Sequence, residues 1–149
     1  MTKQELDHHL ELVQQLEDER ELLTSLMAAA GPRTQRLDGM PHAHGVVADP
    51  VGCLAAEIAD MRETISRREA DVARSEAAVA AYIQTIEDSQ LRMVFRLRFI
   101  HGMPWKLVAA SVGARNTENG VKAACYRYIA RAGPARMGPP PKRKGEKEV

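Results

Sequence analysis

The chain has 149 residues, 44% hydrophobic and 28% charged, with a formal net charge of +1. This describes one domain, or one small domain carried on a long helical arm, and it excludes disorder throughout. No apolar run reaches the roughly 18–20 residues that cross a bilayer, the acidic N-terminal residues lack a signal-peptide apolar region, and Cys53 and Cys125 have no CxxC partner, which argues against a disulfide scaffold or a cysteine zinc site and makes a reduced cytoplasmic setting the expectation.

Residues 1–30 carry a net charge of −5, and Leu6, Leu10, Val13, Leu16, Leu23 and Met27 recur at three- and four-residue steps, which predicts a helix over about 3–29. Gly31-Pro32 ends it, glycine suiting the position after a helix and proline being unable to continue one. Residues 31–53 show no periodicity and are rich in glycine and proline, the pattern of a loop.

Residues 54–87, with net charge −3, hold the clearest pattern: Ile58, Ile65, Val72, Val79 and Ile86 recur every seventh residue, with Leu54, Met61, Arg68, Ser75 and Tyr82 as the companion series. Such a repeat marks a coiled-coil seam, and Arg68 and Ser75 weaken it while fixing its register. At 1.5 Å per residue the helix is about 50 Å long and needs packing along its length. Either the first helix folds back on it as a hairpin, or the same helix of a second chain pairs with it.

Residues 88–132 carry +6 and divide into three short helices, making a helix-turn-helix domain: one from Asp88 or Ser89 to Ile100, one from Trp105 to about Ser111 with Pro104 favouring its start, and one capped by Asn116 or Thr117 and running to about Arg131. Phe95, Phe99, Trp105, Tyr126 and Tyr128, five of the six aromatics, fall here and supply the large side chains that so small a core needs. Residues 133–149 add +3, with a Pro139-Pro140-Pro141 run and Lys142-Arg143-Lys144, and are expected to be disordered. The net charge is thus a cancellation. An acidic arm of −8 is joined to a basic end of +9, the split of a protein whose second part meets a polyanion.

On the third short helix, Val121, Ala124, Cys125 and Tyr128 form an inward side, while Asn119, Ala123 and Tyr126 point away, flanked by Lys122 and Arg127. Asn pairs with an adenine edge and an Ala methyl meets the thymine methyl in the major groove. Arg115, Asn116 and Thr117 precede the helix, where backbone N–H groups and the dipole favour a phosphate. The other reading is a solvated basic helix of an interaction domain; charge segregation, aromatic core and three-helix spacing together favour DNA.

Asp38-Gly39-Met40-Pro41-His42 before a long helix, then Ile86-Glu87-Asp88, Leu97-Arg98-Phe99-Ile100-His101-Gly102 and Trp105-Lys106-Leu107-Val108-Ala109, resembles the phage ArpU/RinA-like transcriptional regulators, over roughly residues 35–131. Their C-terminal part is similar to region 4 of bacterial sigma factors. The resemblance implies a helix-turn-helix regulator of a phage or mobile element. Residues 114–117 make the turn longer than the sigma-like one, so the base-contact positions of sigma factors do not transfer directly. The arm holds a single aromatic, Tyr82, and so lacks the aromatic helix that a promoter-melting domain uses.

His42, His44 and Asp49, with His8 and His9, lie too irregularly for a metal site. Cys125 is expected in the core, Trp105 is expected to anchor it, and Arg98, in an apolar arc, is expected to pair with an acid. No catalytic constellation appears, so neither an enzyme nor a cofactor is expected. The expected fold class is all-α, a long helical hairpin or coiled coil followed by a three-helix domain. The expected function is a sequence-specific, double-stranded-DNA-binding transcription regulator, homodimeric through its arm or touching RNA polymerase with it. The rivals are a small-terminase-like packaging subunit and a coiled-coil module that binds polymerase without DNA.

Overall fold

The computed structural model describes residues 1–31, 50–113 and 115–132. The described chain is all-α, and no strand occurs among the described residues. Five α-helices run in order: α1 (Lys3–Ala29), α2 (Pro50–Gln84), α3 (Ser89–Phe95, continuing into a π-helical turn, Arg96–Ile100), α4 (Trp105–Val112) and α5 (Glu118–Ala132). No described helix is long and apolar enough to cross a membrane. The expected 133–149 tail, the Met40-Pro41-His42 loop, and His42, His44 and Asp49 lie outside the described residues.

α1 starts with a capping box. Thr2 accepts the Glu5 amide at 3.3 Å, and the Glu5 carboxylate accepts the Thr2 amide at 2.6 Å, which satisfies two of the orphan donors of the first turn. α2 begins at Pro50, four residues before the position expected from the heptads. A proline in the first turn lacks only a donor that would have had no helical partner, so the Gly52-Cys53 turn still joins the helix.

The partner of α2 is α1 of the same chain. The cross-contacts run antiparallel: His9 meets Ser75 at 2.9 Å, Arg68 meets Glu19 at 2.9 Å, Arg20 meets Glu69 at 2.8 Å, and Arg62 approaches the Met27 sulfur at 4.0 Å. Leu16, Ile65 and Val72 form a small core midway along this hairpin. The two polar residues of the seam are therefore matched rather than merely tolerated. Arg68 ends on the Glu19 carboxylate and Ser75 on the buried His9 ring, and an in-register partner for each fixes the pairing.

The last heptad residue, Ile86, lies beyond the end of α2, yet it is fully buried. It belongs to the larger core, in which Leu6 of α1 and Val79 and Ile83 of α2 join Phe95, Phe99, Trp105, Val108, Val121, Cys125 and Ile129. The open end of the hairpin is thus built into the three-helix unit. Arg92 binds the carbonyls of Ile86 at 3.0 and 2.8 Å and of Glu87 at 3.3 Å, closing the exit from α2, and Asp88 caps α3 through the Gln90 and Leu91 amides.

α3 does not stay α-helical to Ile100 as expected. Its last five residues widen into a π turn closed by the His101 amide on the Arg96 carbonyl at 3.1 Å, and Gly102, at φ +63°, turns the chain. Phe99 from this turn packs 5.6 Å from Phe95 and 6.4 Å from Trp105. Cys125 and Trp105 are in the core, as expected. Arg98 departs from expectation: its Nη1 donates to the Met103 carbonyl at 3.0 Å, and its guanidinium lies 5.2 Å from the Trp105 ring centre. A carbonyl and an aromatic face do here what a carboxylate was expected to do.

Candidate nucleic-acid interface

α4 and α5 pack on α3 and on each other so that one side of α5 is covered and the other is open. Val121, Cys125 and Ile129, spaced four apart, carry the buried side. The opposite side exposes Asn119, Ala123, Arg127 and Ala130. Asn119, Ala123 and Ala130 repeat at four and seven residues, one face of a helix, and form a small uncharged crest.

Cations flank the crest on both sides. Toward α3, Arg127 and Arg131 line a groove of about 160 Å³ with Leu91, Ala124 and Tyr128. Toward α4 and α1 lies the exposed Lys122, one turn before Tyr126. Lys106 is exposed in the first turn of α4 beside Trp105, and Arg115 is exposed in the turn. The Arg127 Nε donates to the Ala123 carbonyl at 3.3 Å, which holds the guanidinium stem along the helix.

Thr117 is the cap of α5. Its hydroxyl accepts the Gly120 amide at 3.1 Å, and its carbonyl accepts the Val121 amide at 3.0 Å. Asn116 is exposed at the rim of a second groove of about 230 Å³, which it shares with Asp88, Gln90 and Gly120. A Cβ at Gly120 would stand 3.0 Å from the Thr117 hydroxyl, so glycine leaves room for the capping bond.

Of the residues expected at the interface, Asn119, Lys122, Ala123 and Arg127 share the open side, and Arg115, Asn116 and Thr117 stand at its N-terminal end. Tyr126 does not point outward as the wheel predicted. It is half-buried, its ring 5.9 Å from Trp105, with the Lys3 ammonium 4.8 Å from its centre. The packed N-terminus of α1, which no helical wheel of α5 contains, covers that side. Burial, foremost, raises the Tyr126 pKa, so the phenol stays neutral. Ala130 and Arg131 extend the exposed surface beyond the expected set, and their spacing from Asn119 and Arg127 was a readable signal. Lys3 had none, lying more than a hundred residues away in an acidic helix.

His8 and His9 diverge. His8 is exposed near Glu11, whereas His9 is buried between Ser75 and the Phe99 carbonyl. No family model, curated protein or solved structure matches the chain.

Proposed function

We propose that the chain binds duplex DNA by laying α5 in the major groove, as a sequence-specific transcription regulator of the cytoplasm. The observation that carries this reading is the uncharged Asn119–Ala123–Ala130 crest, exposed between cations on both sides. A major groove about 12 Å wide admits one helix between two rows of phosphates. A crest of small side chains lets the backbone approach base edges while Lys122 on one flank and Arg127 and Arg131 on the other meet the phosphates. Asn119 is the candidate for an adenine edge, and Ala123 for a thymine methyl. Arg115 and the start of α5 suit a phosphate at the end of the contact.

The resemblance to ArpU/RinA-like regulators makes phage or mobile-element genes the proposed target. The hairpin's far end exposes Leu22 and Met27, which favours a protein partner there, a second copy of the chain or RNA polymerase. A dimer would read a two-fold site with half-sites whole helical turns apart.

Selection from random duplex DNA followed by footprinting tests the reading. With four phosphate contacts, affinity should fall about a hundredfold between roughly 50 and 200 mM salt. Lys122→Ala and Arg127→Ala should weaken binding to all sequences and flatten the salt dependence, whereas Asn119→Ala should change which base is preferred at one position. Binding that is indifferent to salt, or the absence of any preferred duplex, overturns it.

A further inference from the structure

Resting on the DNA-binding reading, we infer that Lys3, the only lysine of the acidic arm, is a backbone-phosphate contact of the reading head. The capping box at Thr2 and Glu5 fixes Lys3 at the first position of α1, and burial of Leu6 three residues on docks this end of the helix into the head's core. The ammonium is thereby carried to the ring of Tyr126, 4.8 Å from its centre, on the flank of the crest where Lys122 stands one turn earlier. The Lys3 side chain is 57% exposed, so its charge remains available to a ligand. Tyr126 and the Lys3 stem provide an apolar seat, and an aromatic face holds an ammonium in place without neutralising it.

The neighbouring charges give the lysine a second task. Asp7 lies one turn along α1, its carboxylate 4.0 Å from the Lys3 ammonium, and its field reaches Tyr126 and Cys125. Without Lys3, that flank would present an uncompensated carboxylate to incoming phosphates. Lys3 therefore offsets that repulsion as well as offering a phosphate contact, and Asp7 holds the contact below its full strength.

The experiment measures affinity of the full chain for its selected duplex across a salt series. Lys3→Met keeps the stem over Tyr126 and removes only the charge. It should lower affinity about fivefold near physiological salt and reduce the slope of log K against log salt by about one, with sequence preference unchanged. Lys3→Arg should retain the wild-type slope, and Asp7→Asn should tighten binding. Arg67→Ala, the same loss of charge at a 72% exposed side chain midway along α2, is the control and should change neither quantity. If the wild type binds with steep salt dependence while K3M behaves like R67A, the role of Lys3 is overturned and the DNA-binding reading stands. If the wild type has no salt-dependent affinity for any selected duplex, the DNA-binding reading falls and takes this inference with it.

Discussion

Leu6→Ala tests whether the arm and the three-helix head share one core. Leu6 is fully buried, and its cluster includes Val79, Ile83 and Ile86 from the α2 end and Phe95, Phe99 and Trp105 from the head. Truncating a leucine in such a setting costs about 3 kcal/mol, from lost transfer energy and the cavity left behind. For 149 residues, an unfolding entropy of about 2.1 cal/mol/K per residue gives roughly 0.3 kcal/mol/K, so the melting temperature should fall by about 10 °C. Leu107→Ala, on α4 and 50% exposed, should move it by less than about 2 °C. Two probes follow the melt: far-UV circular dichroism sees all the helices, and the fluorescence of Trp105, the only tryptophan, sees the head. If one core joins arm and head, both signals shift together in L6A. A circular-dichroism transition that moves while the Trp105 transition stays at its wild-type temperature would show that α1 is no part of the head's core, and the placing of Lys3 on Tyr126 would lose its support.

His9 makes stability depend on pH. Burial, partly opposed by the Phe99 carbonyl and Glu76, holds its pKa below the ordinary 6.5. As pH falls below that value the unfolded chain takes up the proton first, so the stabilisation is complete above about pH 6.5 and is lost as pH falls through the lower folded pKa. The melting temperature should drop between about pH 7 and 5.5 more steeply than in His9→Gln, and parallel slopes for the two proteins would refute this. Cysteine labelling gives a separate check. Burial pushes the Cys125 thiol up to about 12, whereas Cys53 is exposed. Since the thiolate is the reactive form, an alkylating reagent at about pH 8 should modify Cys53 in the folded protein and Cys125 only after unfolding, and two fast equivalents would contradict the packing of α5.

Much of this architecture is legible in the residues because periodicity and punctuation are local. The apolar spacing from Leu6 to Met27, the heptads from Ile58 to Ile86, the Asp88 cap, and the glycine stops at 102 and 113 mark the helices to within a few residues. Two details at helix ends escape that punctuation: α3 finishes in a π turn at Arg96–Ile100, and α2 starts early at a proline whose missing donor costs nothing there. The open side of α5 was readable in part, since Asn119, Lys122, Ala123 and Arg127 follow from the placing of Val121 and Cys125. Tyr126 was not readable, because the surface that covers it belongs to another helix.

The sequence by itself determined that the protein is helical, that its long helix has an apolar seam, and that an acidic arm precedes a basic end, because each depends on residues close together in the chain. Only the tertiary structure decided which helix meets that seam, by setting Glu19 against Arg68 and His9 against Ser75. It also decided that the arm is not separate from the head. Leu6 and Ile86 are buried among residues far along the chain, and the same packing moves the positive charge of Lys3 from the acidic arm to the flank of the basic helix. Segment charges add along the chain, but a phosphate responds to charges in space, and folding sets which ones stand together.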